Sequence, residues 1–145
     1  VEEKQKAEEE RKLRLDEEKR RDRAVLQRYP NRAVHDKERA ETLAQVDEVM
    51  RAANKRIAEL GDDRKVLDVE MEFYKKDPNK APAALKRRMD ENDRAVGVQK
   101  RFIAEQGEEK KRVNARFDEE LTRLKQLWAV ANPAGVRAAA SAAGK

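Results

Sequence analysis

Apolar side chains recur every three or four residues over most of this chain, with charged residues between them. From Leu43 to Tyr74 the steps alternate between three and four, and only Arg64 places a charge at a repeating position. This is the spacing of the core positions of a coiled coil, which share one side of a helix. The pattern therefore predicts a long helix that buries one narrow stripe.

A second stripe begins at Leu85 and keeps the same alternation to Phe117, where one extra step of four leads to Leu121. Such a stutter locally unwinds a supercoil. Pro78 and Pro82 stand between the stripes among turn-forming residues, and a short connection favours antiparallel neighbours. We predict an all-α fold: a long antiparallel coiled-coil helical hairpin at residues 31–131, with helices at about 32–76 and 82–131 and a loop at 77–81.

The residues expected to form the apolar seam and any interaction surface follow this repeat, with one aromatic residue beside it. They are Leu43, Val46, Met50, Ile57, Leu60, Leu67, Met71, Tyr74, Leu85, Met89, Val96, Phe102, Ile103, Val113, Phe117, Leu121, Leu124 and Trp128. Packing these side chains between two helices would hold the hairpin together without a thick globular core.

Polar residues occupy several repeating positions of the second long helix. They are Asn92, Gln99, Gln106 and Lys110. Polar residues in a seam often fix the register of the helices at a cost in stability. Alternatively, the helix turns slightly so that Ala95, Val98 and Phe102 share the contact. The sequence leaves both interpretations open.

Residues 1–29 predict a separate, charged N-terminal helix, since acidic residues stand four before basic ones, as Glu2 does before Lys6. Pro30 removes a backbone donor and restricts Tyr29, so we expect a break or kink at residues 29–31, with Asn31 as an N-cap. Residues 132–145 are rich in alanine and are expected to form a flexible tail.

A small apolar cluster is expected at the open end of the hairpin, where the charged helix meets the two long ones. Its members are Val25, Leu26, Tyr29, Val34, Leu121, Leu124, Leu127 and Trp128. This cluster would join three helical segments rather than two.

Composition agrees with a narrow seam, because 38% of the residues are hydrophobic and 45% are charged. Such values are typical of coiled coils and long solvated helices. The formal net charge is only +5, with acidic and basic residues interleaved, so a concentrated basic face for nucleic acid is not indicated. There is no cysteine, which excludes disulfides and thiolate metal sites.

The candidate chemistry is sparse. His35, the one histidine, pairs with Glu38 at helical spacing, but a metal site needs further ligands, so we expect a solvated surface histidine and no metal or cofactor. Carboxylate pairs such as Glu119 and Glu120 would need a desolvated cleft to act as acid and base, and a two-helix seam has none. We therefore predict that the chain is not an enzyme.

Four segments carry a resemblance to a known group of proteins: residues 20–29, residues 70–74 before the proline-bearing loop, residues 84–86 and residues 115–118. Across about residues 20–128 the chain resembles the C-terminal coiled-coil region of periplasmic proteins from Burkholderia-like and related proteobacteria. The resemblance implies a periplasmic location and a small preceding domain of unknown function. It supplies no functional residues. Since Val1 is not an initiator methionine, we expect a preceding segment, including any targeting signal, to be absent from this sequence.

These observations favour a non-enzymatic periplasmic scaffold or spacer that mediates protein association. The expected partner is a second copy, giving a homodimer, or another helical protein, and no membrane insertion is expected. Residues beside the strict repeat are the candidates for that contact: Val69, Phe73, Val98, Phe102, Leu127 and Trp128. The alternative function is electrostatic binding of an anionic polymer, either nucleic acid or envelope polysaccharide.

Overall fold

The computed structural model describes residues 1–132, and within that range the protein is all-α. Helix α1 is Glu2–Arg28, α2 is Arg32–Glu72 and α3 is Ala83–Ala131, with a short 3-10 helix at Pro78–Lys80. Of the predicted flexible tail, all but residue 132 lies outside the described residues. Within residues 1–132, no helix contains a stretch of the length and apolarity needed to cross a bilayer.

The break between α1 and α2 has the predicted cause. Tyr29 leaves the helical conformation with φ −125° and ψ 79°, directly before Pro30. Asn31 then caps α2, since its Oδ1 accepts a hydrogen bond from the backbone N–H of Val34 at 3.1 Å. A side-chain acceptor at this position satisfies a donor that the first helical turn leaves unpaired.

Helix α2 ends at Glu72, earlier than the predicted end at residue 76. The next residues form tight turns instead, with the N–H of Tyr74 bonded to the carbonyl of Met71 and that of Asp77 bonded to the carbonyl of Tyr74. Pro78 disfavours helical geometry in the residue before it, so the chain tightens before reaching the proline. Apolar periodicity alone does not show this, because Tyr74 still falls on the repeat.

Contacts divide the chain into two compact units. The first unit comprises Val1–Ala40 and Asn114–Lys145, and the second is Glu41–Val113. Helices α2 and α3 each contribute to both units.

In the second unit, α2 and α3 run antiparallel. Polar contacts pair Glu70 with Arg88 at 2.7 Å and Asp47 with Lys110 at 2.8 Å, so residue numbers fall along α3 as they rise along α2. The core at the turn is formed by buried Leu67, Ala81 and Leu85, against which further side chains pack. Those side chains are Met71, Tyr74 and Met89.

In the first unit, the end of α1 lies against the end of α3. Arg123 pairs with Asp22 at 2.6 Å, and the indole of Trp128 bonds to the backbone of Tyr29 at 2.9 Å. Contact positions rise together on both helices, so these segments run parallel. No residue of α1 is buried in the part of the chain that the structure describes, and Leu13 and Leu15 are exposed.

Candidate functional site

The residues predicted for the seam all lie wholly or partly out of solvent. The buried ones are Val46, Leu60, Leu67, Leu85, Val113, Phe117 and Leu124. The partly buried ones are Leu43, Met50, Ile57, Met71, Tyr74, Met89, Val96, Phe102, Ile103, Leu121 and Trp128. The repeat therefore marks the contact between helices within each unit. These side chains stabilise the packing of the chain itself, which leaves little of their surface for a partner.

The polar seam position at Asn92 is buried and bonded across the helix pair. Its Nδ2 donates to the carbonyl oxygen of Leu60 at 2.9 Å, whereas Val98 is exposed. Lys110, farther along the seam, is only partly buried and reaches Asp47. At Asn92 the structure favours the interpretation in which a polar residue fixes the register.

The residues proposed for self-association fall into two groups. Phe102, Leu127 and Trp128 are partly buried, while Val69, Phe73 and Val98 are exposed by 66%, 85% and 53%. The first group is therefore largely engaged by the chain's own packing. The second group lies in the second unit, with Val69 on α2, Phe73 in the turn after it and Val98 on α3, and remains available to a partner.

The expectation that His35 is a solvated surface residue is wrong, because its side chain is completely buried in the first unit. Its ring meets that of Tyr29 edge-on, with centroids 4.7 Å apart, and lies 5.2 Å from that of Phe117. Its Nε2 lies 2.8 Å from the Oε1 of Glu120. The carboxylate of Glu120 thus satisfies one ring nitrogen, while Nδ1 has no hydrogen-bond partner.

Tyr29 is the centre of this polar and aromatic cluster. It is 2% exposed, and its hydroxyl donates to the carboxylate of Glu38. Burial, reinforced by that hydrogen bond, raises the pKa of Tyr29 to about 12. The same carboxylate also accepts from Arg28, and these two hydrogen bonds hold the pKa of Glu38 below its ordinary value.

The residues expected in the three-way apolar cluster are wholly or partly shielded from solvent, except Val34. Trp128 donates from Nε1 to the carbonyl oxygen of Tyr29, and Leu124 is completely buried. Val25 and Leu26 of α1 are partly buried. Val34, however, is 39% exposed, because the adjacent residue His35 takes the inward position.

One signal in the sequence does point to the burial of His35. Steps of four backward from Leu43 reach Arg39 and then His35, and an extra step of four also occurs in α3 between Phe117 and Leu121. A stutter of this kind shifts the buried side of a helix, here to the side that carries Arg39 and His35. Arg39 is accordingly engaged with α3, where it bonds to Asn114 at 2.9 Å.

The chemistry of the His35 cluster is that of a structural network. A ring that is fully buried between two aromatic side chains presents no atom to a substrate in this conformation. Within the described residues, no three His, Cys, Asp or Glu side chains are grouped to hold a metal ion. What the cluster does is join the end of α1 to α2 and α3 through a buried polar core.

Some charged side chains outside this cluster are paired with opposite charges on the surface. Pairs within one helix include Arg112 with Glu109 at 2.8 Å, and pairs between helices include Arg64 with Asp93 at 2.6 Å. Exposed pairs of this kind contribute little to stability. They do place carboxylates beside some of the cationic groups that a polyanion would need.

No protein-family model, curated protein or solved structure matches the chain.

Proposed function

We propose that this chain is a non-enzymatic helical scaffold or spacer that mediates association between proteins. The proposal rests on the difference between two sets of apolar side chains, one buried and one exposed. Those on the repeat are packed between helices, whereas an exposed apolar row is formed by Val66 and Val69 near the end of α2 and by Phe73 in the turn that follows; these side chains are 60%, 66% and 85% exposed.

An exposed phenylalanine ring beside two exposed valines has a physical consequence. Burying a large apolar side chain contributes roughly 1.5 to 3 kcal/mol, so a partner that covers this row gains from each residue. Contiguous exposed apolar residues bordered by charges commonly mark protein interaction sites. Because Val66 and Val69 lie about one turn apart on α2, a partner helix could pack against them.

Some surface cations already have carboxylate partners, and this supports association between proteins over binding of an anionic polymer. A polyanion would have to displace carboxylates such as Glu109 and Asp93 from the arginines that they neutralise. Displacement of existing pairs reduces the gain that counterion release would otherwise supply. Polyanion binding is therefore the alternative that the experiment below must distinguish from protein association.

The test is sedimentation of the full chain from micromolar to hundreds of micromolar, at about 50 mM and about 200 mM salt, with heparin titrated in parallel. Self-association through apolar contacts should change little between the two salt concentrations. A chain that stays monomeric and binds heparin with an affinity that falls steeply with salt would establish the alternative function. A chain that does neither would limit the scaffold proposal to association with a different protein.

We also propose that the scaffold operates in the periplasm, a location supported by the resemblance of residues 20–128 to periplasmic coiled-coil regions. Fractionation of the natural host with an antibody to this chain tests the location. Release of the antigen by osmotic shock, together with a periplasmic marker enzyme, is the expected result. Retention in the spheroplasts would place the protein elsewhere.

A further inference from the structure

Positive charge is concentrated where the chain turns from α2 into α3. Residues 73–88 contain six basic residues and one acidic residue, so this segment carries a formal charge of +5, equal to that of the whole chain. The remaining 129 residues hold 29 residues of each sign. We call residues 73–88 the basic tip of the second unit. Its cations, all exposed, are Lys75, Lys76, Lys80, Lys86, Arg87 and Arg88.

Only some cations of the basic tip have a carboxylate partner. Lys75 lies 3.6 Å from Glu72, and Arg88 lies 2.7 Å from Glu70. The other four cations form no ion pair within residues 1–132. Because α2 ends near the point where α3 begins, the dipoles of the two helices oppose each other here, and the side chains determine the local field.

Acidic residues are in excess directly behind the basic tip. Residues 62–72 of α2 and 89–95 of α3 contain eight acidic and three basic residues. These two segments lie alongside each other, as the pair of Arg64 with Asp93 at 2.6 Å shows. The charge therefore changes sign along the helix pair, from positive at the turn to negative beside it. A negatively charged surface attracts the turn and repels the segments behind it.

The basic tip also presents an apolar side chain to solvent. Phe73 is 85% exposed in the turn after α2, three residues before Lys76, and Val69 on α2 is 66% exposed. The neighbouring Tyr74 packs in the other direction, against the core at the turn. The tip thus combines a phenyl ring and unpaired cations on a packed base.

We propose that the basic tip binds the surface of an anionic lipid bilayer, with the turn toward the lipid. The inference goes beyond the proposed function, because it adds a surface on which the scaffold is held. Each lysine or arginine near an anionic leaflet strengthens binding by about fivefold. The long side chains of the cations reach the lipid phosphates, while the ring of Phe73 lies at the level of the headgroups, so the contact is peripheral.

A bilayer fits this arrangement better than a linear polyanion does. A polymer that follows the helices would run over the acidic segments behind the tip, which repel it, whereas a bilayer met by the turn contacts the basic tip first. A polysaccharide would also leave Phe73 and Val69 largely in water. The boundary between lipid headgroups and acyl chains accepts both cations and apolar side chains.

The first experiment is cosedimentation of the full chain with vesicles of phosphatidylglycerol and phosphatidylcholine in equal parts, at about 100 mM salt. The chain should bind these vesicles but not vesicles of phosphatidylcholine alone. Lys76→Gln with Lys80→Gln should weaken binding by roughly tenfold or more, because two cations of the tip are lost.

The matched control is Lys55→Gln with Lys100→Gln. It also removes two exposed lysines of the second unit that form no ion pair within the described residues, but both lie away from the turn. This variant should bind the anionic vesicles nearly as well as the original chain. Equal weakening in the two double variants would show that only net charge matters, and this would overturn the basic tip as the site.

The second experiment tests the phenyl ring and separates a bilayer from a soluble polyanion. Phe73→Ala should weaken binding to the anionic vesicles by about threefold or more, since the ring no longer leaves water, and should leave binding of heparin unchanged. Vesicle binding that does not change would contradict the proposed contact. Binding of heparin that depends on Lys76 and Lys80, without such binding of vesicles, would identify a soluble polyanion as the partner and end the inference.

The third experiment shows which part of the second unit faces the lipid. Because the chain has no cysteine, a polarity-sensitive dye can be attached at one introduced cysteine. On Asn79→Cys, in the 3-10 helix, its emission should shift to the blue with anionic vesicles, whereas on Asn54→Cys, an exposed position of α2, it should not. Equal shifts would overturn the proposed orientation.

Circular dichroism checks that each exposed substitution leaves the helices intact. Sedimentation without lipid tests the scaffold proposal separately. A chain that associates with itself but does not bind anionic vesicles ends this inference and leaves the scaffold proposal standing. A monomeric chain whose vesicle binding depends on Lys76, Lys80 and Phe73 supports the inference, and the scaffold then requires a different protein partner.

Discussion

Asn92 donates a hydrogen bond from its side-chain amide to the backbone carbonyl oxygen of Leu60 on the facing helix, at 2.9 Å. The two residues are 7% and 4% exposed, so this bond forms out of water. A slide of one helix along the other by a single residue, about 1.5 Å, would stretch or break it. The bond therefore marks one register for α2 and α3 in the second unit.

Replacing Asn92 by alanine should lower the free energy of unfolding by about 1 to 3 kcal/mol, since the variant loses the buried hydrogen bond and leaves a gap. Asn92→Leu should recover much of that loss because leucine fills the seam with apolar volume. Urea denaturation followed by circular dichroism measures both variants. Lys100→Ala, at an exposed position on the same helix, is the control and should change stability by less than about 0.5 kcal/mol. An Asn92→Ala variant as stable as the original chain would show that the bond contributes nothing.

His35→Ala should destabilise the first unit by about 2 to 4 kcal/mol, because it removes a buried ring from between Tyr29 and Phe117. The single tryptophan, Trp128, lies in the same unit, so its fluorescence reports the unfolding of that unit. Val34→Ala alters the adjacent residue, which is 39% exposed, and serves as the control. Equal fluorescence midpoints for the two variants would contradict the structural importance of His35.

The raised pKa of Tyr29 predicts that the protein loses stability at alkaline pH. Its pKa is raised from 10.0 to about 12 in the folded protein. The protonated phenol therefore contributes to the free energy of unfolding. The contribution is fully present below about pH 10 and disappears as the pH rises from about 10 to 12. The loss is on the order of 2 kcal/mol.

Tyr29→Phe should therefore lose less stability than the original chain between about pH 10 and 12. Chemical denaturation at a series of pH values, read by Trp128 fluorescence, gives the comparison. Tyr74→Phe alters the other tyrosine, which lies in the second unit, and should keep the alkaline loss. Parallel stability curves for Tyr29→Phe and the original chain would show that the phenol does not ionise on unfolding in this range.

Two glycines in helix interiors offer simple gains in stability. A β-carbon added at Gly61 or Gly107 meets no atom within 4 Å, so alanine fits at both positions. Each substitution should stabilise the protein by up to about 1 kcal/mol, because glycine loses more backbone freedom when a helix forms. Thermal denaturation measures the gain. At Gly97 the new carbon would lie 3.3 Å from a guanidinium nitrogen of Arg101, so a smaller gain is expected there.

The spacing of apolar residues and the positions of the prolines determined most of the helices and their buried sides. The spacing of Leu43, Val46 and Met50 and its continuation identified the buried side of α2, because residues three and four apart must share a face of an α-helix. Pro30 and Pro78 marked the breaks, since proline restricts the residue before it and lacks a backbone donor. These are short-range effects, and they act whatever the rest of the chain does.

Tertiary contacts decided where polar residues lie. The sequence leaves two interpretations of Asn92, and the carbonyl oxygen of Leu60 within hydrogen-bond reach favours one of them. The sequence predicts a solvated His35, whereas its side chain is fully buried. Burial of a histidine depends on which side chains arrive from distant parts of the chain, and here Tyr29 comes from the end of α1 while Phe117 and Glu120 come from α3. The sequence by itself therefore determined the helices and their apolar stripes, which follow from local geometry. Only the tertiary structure decided the partners of the buried polar groups, because the free energy of burying a polar atom depends on the hydrogen bonds it finds there.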